Sequence, residues 1–130
     1  DIDGTMAILN GRNPFDISKV DTDLPNVPVV KLAKRLQDVG IKLIFVSGRK
    51  DTCREKTDAW LQANGFYDFR LIMRKADDNR ADSITKKELF DTYIAGSYYI
   101  EFVLDDRNSV VDMWRNDLRL PCFQVNYGDF

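Results

Sequence analysis

The chain has 130 residues, a formal net charge of −2, two cysteines and no histidine. Its length suits one domain, because folding at this size buries about two thirds of the surface of the unfolded chain. The charge excludes a broad basic face of the kind that dominates non-specific nucleic-acid binding. Without histidine, proton transfer must fall to carboxylates, and a bound metal is expected to be hard and ligated by oxygen.

Cysteine use and hydropathy indicate the compartment. Cys53 and Cys122 lie far apart in the sequence, in no metal or redox spacing, so we expect two reduced thiols. No apolar run approaches the ~20 residues of a membrane span, and no export signal is present. We therefore expect a soluble cytoplasmic protein without a membrane partner.

The first five residues carry the strongest chemical pattern. Asp1 and Asp3 are carboxylates one residue apart, and Gly4 and Thr5 follow at once. If Asp1 ends a strand, Asp3 returns to the same side, and Gly4 lets the backbone turn sharply. Four fixed positions in five arise by chance about once in 10^5 positions. The pattern predicts a phosphoryl-transfer site; the alternative is a solvated acidic turn.

Residues 6–25 have weak periodicity and several turn-forming dipeptides. We predict a flap over the site, in which Arg12 and Phe15 are candidates for substrate contact. The alternative is an ordinary surface loop with a half-buried Phe15.

Beyond residue 25, strand-like and helix-like stretches alternate, which predicts a parallel sheet with helices on both faces. The whole chain, residues 1–130, forms one domain of this α/β class. The predicted strands cover residues 41–46, about 69–73, 99–104 and 122–126, and the predicted helices cover residues 28–39, 51–64, 82–95 and 108–118.

Two strands end in side chains suited to phosphate chemistry. Ser47, Gly48 and Arg49 follow the strand at 41–46, and Asp105 and Asp106 follow the strand at 99–104. Carboxyl ends of parallel strands meet at the ligand-binding edge of an open sheet. Carboxylates that converge there with Asp1 would repel one another without a cation, and Mg²⁺ prefers such oxygen ligands.

A lysine near the start of a predicted helix is a candidate phosphate ligand. Lys86 follows Asp82 by four residues, so Asp82 would position it from the preceding turn. Asp82 could also be the N-cap of the helix. A solvated lysine is the alternative for Lys86, and Lys87 could be confused with it. For Ser47 the alternative is a hydroxyl that caps the turn.

These residues, in this order, resemble the four motifs of the haloacid-dehalogenase (HAD) superfamily of phosphohydrolases. The similarity extends further, to the 3′-phosphatase domain of phage-type polynucleotide kinase/phosphatase. It is carried by Arg12 and by residues 80–90, 110–115 and 121–130, and so spans the whole chain.

The resemblance implies a Rossmann-like HAD fold with a small cap after the first strand, and it assigns roles to the acids. Mg²⁺ is expected on the Asp1 carboxylate, the Asp3 main-chain carbonyl and a carboxylate of Asp105 or Asp106, with Asp106 favoured. Asp1 is expected to attack phosphorus and form an aspartyl-phosphate. Asp3 would protonate the leaving oxygen and then activate the water.

The resemblance also implies the remaining site residues. Ser47 and Lys86 would hold the non-bridging phosphate oxygens, and Asp82 would support the lysine. The other residues expected to bind substrate are Thr5, Arg12, Gly48, Arg49 and Arg74.

The implied activity is an Mg²⁺-dependent polynucleotide 3′-phosphatase that acts on 3′-phosphorylated DNA or RNA ends. One alternative is a HAD phosphatase for nucleotides or other small phosphate esters. Another is a receiver-like phospho-acceptor module, against which the chain order argues. Receivers place paired acids first and the phosphorylated Asp later, whereas here Asp1 and Asp3 come first.

A parallel sheet also needs a strand leading into Asp1, so we expect a first strand that is truncated in this chain. The preceding part would be only that strand or a kinase domain, as in the resembling family. No Gly-x-x-x-x-Gly-Lys-Ser/Thr loop occurs in these 130 residues, so they are not themselves the kinase. The resemblance also suggests a homo-oligomer and, if the protein is phage-encoded, a location in the cytoplasm of a bacterial host.

Overall fold

A computed structural model describes the whole chain, from Asp1 to Phe130. Short strands and helices alternate along it. The strands are β1 (Ala7–Ile8), β2 (Leu24–Pro25), β3 (Leu43–Lys50), β4 (Phe69–Arg74), β5 (Val103–Asp105) and β6 (Cys122–Gln124). The α-helices are α1 (Val27–Asp38), α2 (Arg54–Ala63), α3 (Asp82–Tyr93) and α4 (Asn108–Asp112), and a π-helical turn at Met113–Asp117 extends α4.

Two parallel pairs of strands form the framework. In β3 and β4, Leu43 lies opposite Phe69, and the register holds as far as Ser47 before it shifts. In β5 and β6, Val103 lies opposite Cys122. The expected α/β class is confirmed, and the architecture is Rossmann-like.

Successive side chains of β3 and β4 point to opposite faces of the sheet, and helices pack on both faces. Phe45 and Leu71 pack in one core cluster, together with Leu61 of α2. Their chain neighbours Val46 and Ile72 point the other way, because successive side chains of a strand alternate, and pack with Leu89 of α3. A third cluster holds the end of the domain together, with Val110, Val111, Met113, Trp114 and Cys122.

The predicted flap, residues 6–25, contains the paired strands β1 and β2 and the segment between them. β1 and β2 pair antiparallel, with Ala7 opposite Pro25 and Ile8 opposite Leu24. Between them lies a 3₁₀ helix at Ile17–Thr22. The ends of residues 6–25 are therefore tied together beside the first turn of the chain.

Three strands differ from their predicted bounds. The strand predicted at 41–46 begins at Leu43 and continues to Lys50, so Ser47, Gly48 and Arg49 lie within β3 rather than after it. Residues 99–102, expected as the first part of a strand, lie outside β5, and the strand predicted at 122–126 stops at Gln124. The aromatic and β-branched residues there favour a strand. However, β6 offers β5 partners only from Cys122 onward, so a ladder cannot form before Val103.

An apolar cleft of about 330 Å³ separates the two parallel pairs, lined mainly by residues 40–46 and 98–104. Asp1 lies at its edge, where the Asp1 backbone nitrogen donates a hydrogen bond to the Leu104 carbonyl oxygen at 3.2 Å. A strand leading into Asp1 would run along this cleft, and that strand stays a prediction.

Two other expectations concern the whole chain. Cys53 and Cys122 are free, buried and in different core clusters, so no disulfide joins them. None of the helices combines the length and the apolar character that crossing a membrane would require.

The packing of α2 gives the first prediction. Leu61 is fully buried, whereas Leu32 is 42% exposed. Leu61→Ala should lower the free energy of unfolding by about 2–5 kcal/mol, since it removes buried methyl groups and leaves a cavity. Leu32→Ala should change it by less than about 1 kcal/mol. Urea unfolding of both variants measures the difference, and equal losses would contradict this account of the core.

Candidate active site

The first turn of the chain places the acids. The carbonyl oxygen of Ile2 accepts hydrogen bonds from the backbone nitrogens of Thr5, Met6 and Ala7. Gly4 has a φ of +80°, and a Cβ there would lie 2.0 Å from Oδ2 of Asp106. The turn therefore requires glycine both for its backbone conformation and for the close approach of Asp106.

Three carboxylates meet beside this turn. Asp1, Asp105 and Asp106 each offer an oxygen within 4.8 Å of the others. The ammonium of Lys86, buried with them, lies 2.7 Å from Asp1 Oδ1 and 3.1 Å from Asp105 Oδ2. One lysine offsets one of the three negative charges. The donor set is hard and consists of oxygen, so it fits Mg²⁺, and nothing in it suits a softer metal.

The two adjacent acids have different environments. Asp105 accepts hydrogen bonds at Oδ2 from Lys86 and from Trp114 Nε1, and at Oδ1 from the Asp106 backbone nitrogen. No side chain donates to the Asp106 carboxylate. Asp105 thus accepts three hydrogen bonds from protein donors, whereas the Asp106 carboxylate accepts none from a side chain and is available to a ligand.

The pKa shifts follow this difference. Burial acts to raise the pKa of Asp105, but Lys86 and Trp114 help to bring it below its usual value. Burial, followed by the charge of Asp105, raises the pKa of Asp106. A bound divalent cation would oppose that rise, because it stabilises the ionised carboxylate.

The hydroxyl residues of the site are buried. Thr5 donates a hydrogen bond through Oγ1 to Asp1 Oδ2 at 2.7 Å, so it contacts the expected nucleophile directly. Ser47 Oγ accepts a hydrogen bond from the Arg49 backbone nitrogen at 3.1 Å, which is the turn-capping contact considered as its alternative.

Asp82 lies between a lysine and an arginine. Its Oδ2 is 3.6 Å from Lys86 Nζ, and its Oδ1 is 3.0 Å from Arg74 Nη2. The alternative that Asp82 is the N-cap of α3 is wrong, since Asp82 is the first helical residue and Ala81 precedes it as the cap. Its carboxylate therefore faces the site charges rather than the backbone of the helix.

Gly48 leaves room for the Asp82 carboxylate, because it has no side chain. A Cβ on Gly48 would lie 2.1 Å from Asp82 Oδ1, and the Gly48 carbonyl oxygen accepts a hydrogen bond from Arg74 Nε at 2.7 Å. Arg74 also donates to the Arg80 carbonyl oxygen and to Thr85 Oγ1. The guanidinium of Arg74 is committed to protein partners, as are the side-chain donors of Arg80, which contact Asp78 and Glu88.

Two further arginines connect Asp3 to the flap. Arg49 Nη2 lies 2.7 Å from Asp3 Oδ1 and 2.9 Å from Asp23 Oδ2. Arg12 Nε lies 2.7 Å from Asp23 Oδ1, and Arg12 Nη2 lies 3.5 Å from Asp3 Oδ1. The hydrogen bond to Asp23 raises the pKa of Arg12 above its usual range. Both arginines thus reach Asp3 while they are anchored on Asp23.

Sequence reasoning missed Asp23. In the sequence it is one of two acids in a turn-like stretch, and no local signal distinguishes it from Asp21. In the structure it is buried, accepts from both arginines, and its carbonyl oxygen accepts a hydrogen bond from Trp60 Nε1 at 2.8 Å. The two arginines lie 11 and 26 residues away from Asp23 in the sequence, so only the fold reveals these contacts.

A family model described as the polynucleotide kinase PNKP phosphatase domain matches residues 1–130. The chain belongs to this family. The resemblance carried by the sequence motifs is therefore confirmed over the full length, and with it the HAD-type character of the domain.

A relative and two solved structures are consistent with this family. The chain is 36% identical over 126 residues to a protein of Autographa californica nuclear polyhedrosis virus whose name includes bifunctional polynucleotide kinase/RNA ligase, a match that covers 93% of this chain. A chain in a structure of the Pnkp1/Rnl/Hen1 RNA repair complex superimposes with a TM-score of 0.93 at 53% identity over 98% of this chain. A chain in another structure of the Pnkp1/Rnl/Hen1 complex gives 0.93 at 52% identity over 99%.

The chain spans less than half the length of each of these proteins. The match spans 18% of the viral relative, and 41% and 45% of the two structural neighbours.

The contact between Gly48 and Asp82 gives a prediction for this PNKP phosphatase domain. Gly48→Ala should displace the Asp82 carboxylate and so disturb Lys86, which we expect to lower kcat for a phosphate ester about 100-fold. Gly96→Ala is the matched control, because a Cβ there would meet no atom within 4 Å. Steady-state phosphate release measures both, and similar rates for the two variants would show that the approach is unimportant.

Asp23, the buried acid of the flap, gives a prediction about stability. Asp23→Asn removes the charge between two buried guanidinium groups and should lower the free energy of unfolding by about 3 kcal/mol. Asp21→Asn is the control, since Asp21 is exposed and lies 3.9 Å from Lys56. It should cost less than about 1 kcal/mol. Equal midpoints in thermal unfolding would contradict the role given to Asp23.

Proposed function

We propose that this domain is an Mg²⁺-dependent polynucleotide 3′-phosphatase, which removes phosphate from 3′ ends of DNA or RNA through an aspartyl-phosphate. The observation that carries the proposal is the pairing of two aspartates with different surroundings. Asp1 is held among buried charges by Lys86 and Thr5, whereas the Asp3 side chain is 48% exposed. One is thus fixed as a nucleophile, and the other can meet the leaving group.

Asp1 is suited to in-line attack. Each of its carboxylate oxygens accepts one hydrogen bond of 2.7 Å, from Lys86 and from Thr5. Each oxygen keeps a further lone pair, so the carboxylate is oriented but still nucleophilic. In the first step a bond forms between an Asp1 oxygen and phosphorus, and the bond from phosphorus to the 3′ oxygen breaks.

Asp3 is suited to proton transfer. Arg49 holds its carboxylate from one side, with Nε 3.1 Å from both Asp3 oxygens and Nη2 2.7 Å from Oδ1. Asp3 in its protonated form would give its proton to the leaving 3′ oxygen. The resulting carboxylate would then take a proton from the water that hydrolyses the aspartyl-phosphate, so Asp3 serves both steps.

The Mg²⁺ proposal rests on the three carboxylates. Asp1 and Asp106 would hold the ion, together with the main-chain carbonyl of Asp3, while Asp105 supports Lys86 and takes no direct part. Asp106 is favoured over Asp105 because its carboxylate has no donor from another side chain. A bound Mg²⁺ would supply positive charge to the transferring phosphoryl group.

Ser47, Gly48 and Lys86 are proposed to line the phosphoryl site. Lys86 is the one cation that lies among the three acids, and it would offset charge on the non-bridging oxygens. Arg12, Arg49 and Arg74, expected from the resemblance to bind substrate, are here proposed to act chiefly by positioning Asp3 and Asp82, because their guanidinium groups already contact protein acids.

The substrate proposal draws on the relatives and on the flap. The names of the relatives refer to polynucleotide kinase, RNA ligase and RNA repair. The flap is short, and Asp3 stays half exposed beneath it, which suits the end of a long polymer. The receiver-like alternative does not fit a phosphatase-domain family. A small-ester phosphatase is the outcome that the experiment below distinguishes.

The rest of the protein is also a matter of proposal. The name of the viral relative supports a kinase domain that accompanies this domain. A homo-oligomer and a cytoplasmic location stay predictions.

Release of inorganic phosphate tests the proposal. The wild-type chain should act on 3′-phosphorylated DNA or RNA oligonucleotides with Mg²⁺ and not with chelator. Asp1→Asn should lose at least about 10^4-fold in kcat and Asp3→Asn about 10^2- to 10^4-fold, because they remove the nucleophile and the proton donor. Asp38→Asn is the control, since Asp38 is an exposed aspartate at the end of α1.

Two results would contradict the proposal. Release that survives in Asp1→Asn would exclude the aspartyl-phosphate route. A strong preference of the wild-type chain for nucleotides or other small esters over 3′-phosphorylated oligonucleotides would favour the small-ester phosphatase.

A further inference from the structure

The loop between Arg12 and the 3₁₀ helix exposes an aromatic ring. Phe15 is 92% exposed, and no side chain packs over it. Single exposed apolar residues are common, so exposure alone decides nothing. The contacts that connect its loop to Asp3 are what make this ring a candidate for substrate contact.

The backbone around Phe15 is held in place. Arg12 Nη1 donates to the carbonyl oxygens of Asn13 and Pro14, at 3.3 and 3.1 Å, and to that of Asp16 at 3.5 Å. The side chain of Asn13 accepts a hydrogen bond from the Phe15 backbone nitrogen at 2.9 Å. The exposed ring therefore stands on a fixed loop rather than on a free one.

The same guanidinium connects this loop to the site. While Arg12 Nη1 holds the carbonyl groups on both sides of Phe15, its Nη2 lies 3.5 Å from Asp3 Oδ1. Asp23 fixes the guanidinium between the two. The Phe15 loop is thus one side chain away from the carboxylate that serves the leaving group.

The proposed proton transfer from Asp3 determines which part of the substrate lies next to it. In the reaction proposed above, Asp3 gives its proton to the 3′ oxygen, and that oxygen carries the terminal nucleoside. The nucleoside must therefore lie on the exposed side of Asp3. The phosphoryl group lies on the other side, toward Lys86, Asp105 and Asp106.

We propose that Phe15 stacks on the terminal nucleobase of the strand whose 3′-phosphate is removed. This inference rests on the proposed polynucleotide 3′-phosphatase function and names the residue that would recognise a nucleic-acid end at the same site. A phenyl ring offers a π-face without hydrogen-bonding groups, so it accepts every base. It would thereby give the domain a preference for nucleotides without a sequence preference.

The test combines two variants with two substrates. The substrates are matched oligonucleotides that end in a 3′-phosphate on a normal nucleotide or on an abasic sugar. Phe15→Ala should raise KM for the normal end about tenfold, the scale of one lost base–aromatic contact, and leave KM for the abasic end unchanged. Phe15→Trp should keep KM low for the normal end.

Tyr67→Ala is the matched control. Tyr67 is 73% exposed and lies two residues before Phe69, the first residue of β4, so it lies at the opposite end of the sheet from Ser47 and Asp105. It should leave KM unchanged for both substrates.

Each contrary result is informative. Equal effects of Phe15→Ala on normal and abasic ends, or equal effects of Phe15→Ala and Tyr67→Ala, would overturn the stacking role while the 3′-phosphatase proposal stands. Failure of the wild-type chain to release phosphate from either oligonucleotide would overturn the proposed function, and this inference with it.

Discussion

The site depends on one buried ammonium group. Lys86 is enclosed with its partners, and its Nζ contacts Asp1 and Asp105, residues that are 85 and 19 positions away in the chain. A buried charge is tolerated only when it is paired, and so are the acids that surround it. Removal of Lys86 would leave three carboxylates facing one another. This pairing joins the first turn, α3 and β5, and the rest of the site is arranged around it.

The arginines belong to the scaffold of the site. Arg74 holds Asp82, while Arg12 and Arg49 hold Asp3 against Asp23, so each acid that must keep its orientation has its own charged support. Fixed supporting groups are what keep a catalytic constellation within the tolerance that chemistry requires. As a result, the guanidinium groups of these three arginines are paired with acids of the domain itself. With a net charge of −2, the proposed recognition of a nucleic-acid end would depend on local contacts rather than on a basic surface.

The sequence predicted the residues that follow buried strands and missed those that depend on a distant partner. The acids of residues 1–5 lie in a turn, Ser47 is the last residue of the regular β3–β4 register, and Asp105 ends β5 with Asp106 directly after it. These positions have a readable sequence pattern, and the structure brings Asp1, Asp105 and Asp106 together. Asp23 could not be found, because its contacts with Arg12 and Arg49 arise from pairing across the flap. The strand at 99–104 was overestimated for a related reason: strand propensity is local, but a ladder needs a neighbour, which β5 has only from Val103.

The central claim is that Asp1 becomes covalently phosphorylated while Asp3 serves the leaving group and the water. The most direct measurement uses a 3′ end with a radiolabelled phosphate, the Asp3→Asn variant, rapid acid quenching and peptide mapping. The account predicts a hydroxylamine-sensitive label on the peptide that contains Asp1, retained longer than in the wild-type chain because the base is missing. A chain that releases phosphate while no label ever appears on Asp1, or a label on another residue, would contradict it.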